Sequence, residues 1–204
     1  MASADPVVFV VDDDSAVRTA IFNLLRSVGL TCQAFATADD FIQNVDRTRT
    51  GCVVMDVRMP RMSGLDAQKV LAEHGVDLPL IFITGHADIP VVVRAMKAGA
   101  IEVFGKPFDN QELIDAVHRA IDRDREKREA RQSLDVLRDR FETLTARERE
   151  VMALVVAGRL NKQAASELGT TEKTIKAHRA QVMRKMGAVS LPELVRMADR
   201  LRED

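Results

Sequence analysis

Val7-Val8-Phe9-Val10-Val11-Asp12-Asp13-Asp14 is the stretch that decides the fold: five apolar, mostly β-branched residues break at once into three carboxylates. A strand-length apolar run with no polar alternation reads as a strand buried on both faces. Four comparable runs follow, at Thr31–Phe35, Cys52–Met55, Leu80–Thr84 and Ile101–Phe104. Between them lie patterns with apolar spacing of three and four. The first carries Val17, Ile21, Leu24, Leu25 and Val28 and ends at Gly29; others begin near Ala38, Leu65, Asp88 and Asp109. Strands alternating with helices predict an α/β fold, a doubly wound five-stranded parallel sheet. In such a sheet the functional edge lies at the carboxyl ends of the strands.

Beyond residue 121 the pattern changes. The stretch 122–131 is almost wholly charged and lacks Gly and Pro, and Asp124–Arg128 and Arg125–Glu129 can pair at i,i+4. Apolar spacing returns at Leu134, Leu137, Phe141 and Leu144. This reads as a solvated helical linker, either a short coiled coil in a dimer or an exposed spacer. From Leu144 onward only short helical patterns remain. Thr145 and Glu148 form a capping-box signature, Asn161–Leu168 is a second helix, and Gly169 opens a tight turn. Glu172–Met186 is a third helix, and Ser190 with Pro192 and Glu193 opens a fourth. The organisation expected is one domain over 1–122, a helical linker over 123–141 and an all-α domain over 142–204.

Composition is that of a globular protein, with 46% apolar and 30% charged residues. No apolar run approaches a membrane span and no signal-like organisation opens the chain, so no membrane association and a cytoplasmic location are expected. Cys32 and Cys52 lie in strand-like stretches and read as small buried hydrophobes rather than a disulfide or metal pair. Net charge is −1, but residues 1–121 hold 11 Lys and Arg against 16 Asp and Glu, leaving 19 against 15 for the rest. An acidic half joined to a basic half points to two jobs, with the basic one a candidate for nucleic acid.

Chemistry gathers on the strand ends. Asp12 and Asp13 close the first strand, Asp56 the third, Thr84 the fourth, and Lys106-Pro107 follows the fifth. Asp14 has the simpler reading of a helix cap. Carboxylates packed on one edge repel unless a cation sits between them. All-oxygen donors with few protein ligands suit Mg²⁺. Lys106 adds a second positive charge, so Asp56 is a candidate nucleophile toward a phosphoryl group.

Those residues, with Val54-Met55-Asp56-Val57-Arg58-Met59-Pro60, Met62-Ser63-Gly64, Ile83-Thr84-Gly85-His86 and Gly105-Lys106-Pro107-Phe108, resemble the receiver domain of two-component response regulators. The resemblance implies that Asp56 takes phosphate from a phosphohistidine on a sensor histidine kinase. It also implies that Asp13, Asp56 and the Arg58 backbone carbonyl hold Mg²⁺, with Asp12 reaching it through water. Thr84 would move toward the phosphoryl group, and the Lys106–Pro107 bond would be cis. One departure stands out: the family's inward-turning aromatic ring, three residues before the lysine, is Val103 here. Phe104, one place later, should point to the opposite face. His86 and Arg58 are candidates for tuning the lifetime of the phosphorylated form.

In the second domain, 173–186 contains Lys173, Lys176, His178, Arg179, Arg184 and Lys185 and no acidic residue. Lys173, Lys176, Ala177 and Ala180 fall on one side of a helix, while Ile175, Val182 and Met186 face inward. A basic helix with small residues, entered through a glycine turn, meets the needs of a recognition helix in a major groove. This segment, with Leu144–Val151 and Asn161–Ala165, resembles the LuxR-type helix-turn-helix, and the whole chain the FixJ branch of the NarL/FixJ family. The resemblance implies that Lys176, Ala177 and Ala180 face base edges of double-stranded DNA. Lys173, Thr174 and Arg179 would contact bases or phosphates, and Asn161 and Lys162 the backbone. It further implies a transcriptional regulator that forms a homodimer on phosphorylation or releases a masked DNA-binding domain. Val91, Val92 and Met96 are candidate dimer contacts, and RNA polymerase is a further candidate partner. Two other readings stay open: a DNA binder whose receiver only mediates dimers, and an aspartyl-phosphate phosphatase. The phosphatase needs a second Asp where Arg58 stands.

Overall fold

The structure is a computed structural model and describes residues 5–46, 48–85 and 88–202. It divides into two units, 1–128 and 129–204. The first contains β1 (Val7–Val11), α1 (Ser15–Ser27), β2 (Thr31–Phe35), α2 (Ala38–Asn44), β3 (Gly51–Asp56), α3 (Gly64–Glu73), β4 (Leu80–Thr84), α4 (Ile89–Lys97) and β5 (Glu102–Gly105). Helix α5 (Asn110–Glu142) contributes residues to both units. The second is completed by α6 (Ala146–Val156), α7 (Asn161–Glu167), α8 (Glu172–Met186) and α9 (Leu191–Arg202).

The sheet is parallel throughout, in the order β2-β1-β3-β4-β5. Every residue of β1, β3 and β4 is buried, as continuous apolar runs require, and the alternation of side chains splits the core into two layers. Phe9, Phe41, Met55, Leu71 and Phe82 fill one face; Leu25, Val54, Ile81, Leu113 and Val117 fill the other. The chain order reverses between β1 and β3, and that switch point is where an open α/β sheet forms its crevice. Asp14 caps α1 by accepting from the Ala16 and Val17 N–H groups, the role its position suggests.

Three sequence expectations are modified. Val28 belongs to the apolar stripe of α1 by spacing but lies at its C-cap and is exposed. Cys52 is fully buried, whereas Cys32 is only half-buried because β2 is the sheet edge. The charged run after residue 121 is not uniformly solvated. Asp124 is 2% exposed, accepts the Gly51 N–H at 2.9 Å and pairs with Arg128 at 2.8 Å. A buried carboxylate is tolerated there because both a main-chain donor and a guanidinium meet it.

In the second unit the core comprises Leu137, Leu144, Val151, Met152, Val155, Ile175, Val182, Met186 and Leu194, with Leu134 and Phe141 packed against it. The returning apolar spacing in α5 is therefore core rather than spacer. The Thr145–Glu148 capping box closes as its signature predicts, and Lys185 of α8 ion-pairs with Glu148 at 2.6 Å. That hydrogen bond, with the Thr145 N–H, holds the Glu148 carboxyl down at about 2.

Candidate functional site: an acid pocket and a basic helix

Register builds the first site. Val11 pairs with Met55, so Asp12 and Asp56 follow side by side at the ends of β1 and β3. Asp56 pairs with Ile83, which sets Thr84 one step beyond, and Thr84 pairs with Gly105, which delivers Lys106. The Lys106 N–H donates to the Thr84 carbonyl at 2.7 Å, and the Lys106–Pro107 peptide is cis. Residues 94 positions apart thus meet: Lys106 Nζ lies 2.8 Å from Asp12 Oδ2 and 2.6 Å from Asp56 Oδ1. The other oxygens are also engaged, Asp12 Oδ1 by the Asp14 N–H at 2.9 Å and Asp56 Oδ2 by the Arg58 N–H at 2.5 Å.

Asp12, Asp56 and Thr84 are buried, Lys106 is half-buried, and Asp13 is exposed. Burial pushes the Asp12 carboxyl above its usual range, outweighing what Lys106 and the Asp14 N–H give back. Burial also works against the Lys106 ammonium, but hydrogen bonds to the two carboxylates together prevail and raise its pKa. Two buried carboxylates thus share one ammonium. Gly64 opens α3 against it: a Cβ there would stand 2.4 Å from the Asp56 carbonyl, so no side chain fits. The Arg58 side chain is exposed and faces Asp88 at 3.7 Å, while His86 lies outside the described residues.

The faces of β5 fall as alternation predicts. Val103 pairs with Phe82 and packs in the layer below Thr84, while Phe104 is buried in the opposite layer beside Phe108. The position expected to carry an aromatic ring carries an isopropyl group.

The second site is a surface. Thr171 caps α8, accepting the Thr174 N–H, and Gly169 in the preceding turn has φ +62°. Lys173, Lys176, Ala177 and Ala180 are exposed on α8, whereas Ile175, Val182 and Met186 are fully buried. Thr174 and Arg179 are half-buried, and Arg179 reaches Asn161 Oδ1 at 3.4 Å; Lys162 is exposed. Lys185 is taken up by Glu148 and is part of the unit's interior bracing. Gln181, also exposed on α8, was not singled out by its residue type.

Residues 8–118 match the response regulator receiver domain, and 142–198 match the bacterial regulatory proteins of the luxR family. The chain is a response regulator. It is 50% identical to nodulation protein W of Bradyrhizobium diazoefficiens, covering 98% of this chain and 88% of that one. It is 40% identical to the transcriptional regulatory protein FixJ of Rhizobium meliloti, covering 95% of each. Among solved structures, that of response regulator StyR aligns with a TM-score of 0.87 at 45% identity, covering 97% of this chain and all of that one. Full-length FixJ from B. japonicum aligns with a TM-score of 0.59 at 36% identity, covering 98% of both. The regulator thus pairs a receiver with a LuxR-type DNA-binding domain, as transcriptional regulators of two-component systems do. Among its described residues, no helix is long and apolar enough to cross a membrane.

Proposed function

We propose that Asp56 accepts a phosphoryl group from a phosphohistidine of a sensor kinase and thereby switches the DNA binding of α8. The observation that carries this reading is the Lys106 ammonium held between Asp12 and Asp56 at 2.8 and 2.6 Å. A carboxylate oxygen of Asp56 attacks phosphorus, the P–N bond breaks, and the imidazole nitrogen leaves with its electron pair and is protonated. As the acyl phosphate forms, Lys106 passes from Asp56 Oδ1 to the phosphoryl oxygens. The donor set suits Mg²⁺: oxygen only, with the buried Asp12 and Asp56 sharing a single ammonium and the exposed Asp13 next in the chain. Asp13, Asp56 and the Arg58 carbonyl would hold it, with Asp12 reaching it through water, and it supplies charge neutralisation at the phosphoryl oxygens. Thr84, at the neighbouring strand end, hydrogen-bonds the product.

The exposed apolar residues Ile89, Val93 and Met96 lie at spacings of four and three on α4 and support pairing of phosphorylated receivers there. Val91, by contrast, packs on the receiver core. Paired chains bring two α8 helices to two half-sites, which raises affinity without a new contact. On DNA, Lys176, Ala177 and Ala180 face bases. Lys173, Thr174 and Arg179 contact bases or phosphates, and Asn161 and Lys162 the backbone. The receiver carries the phosphate on itself and turns over no external substrate.

A small acyl phosphate donor tests this directly. Wild type incubated with it and Mg²⁺ is expected to gain one phosphoryl mass that Asp56→Asn does not, and to bind promoter DNA more tightly. Equal labelling of both proteins rejects the assignment of Asp56; labelling without tighter DNA binding rejects the switch.

A further inference from the structure

Two main-chain carbonyls at the head of the acid pocket, those of Asp12 and Asp13, fall where neither sheet nor helix serves them. β1 ends at Val11 and α1 begins at Ser15; the first α1 turn closes from the Arg18 N–H to the Asp14 carbonyl at 2.9 Å. The Asp12 carbonyl sits in a part-buried contact, where a carbonyl without a donor is costly, whereas that of Asp13 is exposed. Among the described residues the Arg18 guanidinium meets both: Nη1 donates to the Asp12 carbonyl at 2.6 Å and to that of Asp13 at 3.4 Å. Arg18 is half-buried on α1.

The contact is to backbone, not to carboxylate. The groups acting on the Asp12 carboxyl are Lys106, the Asp14 N–H and Asp56, with Arg18 not among them. Arg18 therefore leaves the acidic oxygens available while fixing the chain that carries them. Asp12 has further restraints, through its N–H to Phe35 and its Oδ1 from Asp14. Asp13 does not: among the described residues no hydrogen bond or ion pair holds its exposed carboxylate. The direction of the Asp13 side chain thus depends on the backbone that Arg18 clamps.

We propose that Arg18 is the positioning residue of the metal-holding loop, pinning the Asp12 and Asp13 carbonyls to one nitrogen so that both carboxylates are pre-set for Mg²⁺. The inference rests on the phosphoacceptor reading above. Groups that orient ligands from behind change metal affinity by about 10–100-fold when removed. Loss of the clamp therefore weakens Mg²⁺ binding and leaves the phosphotransfer step itself, once metal is saturating, close to wild type.

Calorimetric titration of the full chain with MgCl₂ tests this, using wild type, Arg18→Ala and Arg18→Lys, with thermal melts in EDTA alongside. Arg18→Ala is expected to raise the Mg²⁺ Kd about tenfold. Arg18→Lys, whose ammonium can still serve one carbonyl, is expected to fall between. Labelling by a small acyl phosphate at saturating Mg²⁺ should stay within about twofold of wild type. An unchanged Kd in both variants overturns the proposal even if their melting temperatures fall, since that is what a purely structural cap would show. Labelling that stays low at saturating Mg²⁺ overturns it too, by placing Arg18 on the phosphodonor. Wild type that binds no Mg²⁺ rejects the phosphoacceptor reading itself, and the inference with it.

Discussion

The acid pocket and the basic helix are built in opposite ways. The pocket gathers Asp12, Asp56, Thr84 and Lys106 from four strand ends, buries three of them, and couples their charges within 3 Å. The helix takes its exposed residues from one continuous segment, each meeting solvent separately. Buried charges interact through a low-dielectric interior, whereas exposed ones are screened by water and salt. Substitutions in the pocket should therefore act on one another, and those on the helix should add. Under the function proposed above, the pocket would convert one covalent event into a change of shape, and the helix would read DNA by summing contacts.

The largest effect expected bears on what holds the helix out. Ile175→Ala, at a fully buried position, should cost roughly 2–5 kcal/mol and abolish DNA binding, read by chemical denaturation and by band shift. A full-affinity variant would show that α8 does not depend on its inward face. Next comes Lys106→Met, which leaves two buried carboxylates facing each other and should cost roughly 3 kcal/mol. Combined with Asp12→Asn, the loss should be clearly smaller than the sum, because the neutral amide removes the repulsion. Additivity there would remove the contrast with the helix.

Lys176→Ala and Lys173→Ala should each change stability by less than about 0.5 kcal/mol. If they meet phosphates, each should lower the slope of log K against log salt by about one and the pair by about two. If Lys176 instead meets a base, selection of sequences relaxes at one position. A non-additive pair would break the comparison from the other side.

The smallest effects are those of pH. Glu148 is held at about 2 against an ordinary value of 4.5, so its stabilising contribution is present above 4.5 and lost as pH falls toward 2. Acid melts followed by helicity should show Glu148→Gln less stable than wild type at pH 7 and equal to it near pH 2. Asp12 is shifted the other way. Its folded form favours the protonated state, so the fold gains below the ordinary 3.8 and loses as pH rises through the raised value. Asp12→Asn should therefore melt higher than wild type at pH 7 in EDTA, an advantage that vanishes below pH 3.8.

Much of this molecule was legible because its signals are local. Strands at Val7–Val11, Thr31–Phe35 and Leu80–Thr84 and the helix Glu172–Met186 have the bounds their patterns suggest. The opposite faces of Val103 and Phe104 follow from the two-residue period alone. Asp124 reads as solvated because a charge run looks so wherever it stands; the Gly51 N–H, 73 residues away, together with Arg128, gives the carboxylate its reason to be buried. Arg18 carried no signal, since a single arginine on an amphipathic helix is ordinary.

The sequence by itself determined the alternation of strand and helix, the change to an all-helical second half, and which side of α8 is basic. Each rests on periodicity and composition within a few turns of chain. Only the tertiary structure decided that Lys106 bridges Asp12 and Asp56, that Asp12 is buried, and that Arg18 clamps the loop bearing Asp13. The bridge spans up to 94 residues and depends on sheet register; the clamp, though only a few residues long, depends on where one guanidinium points. No local pattern encodes either.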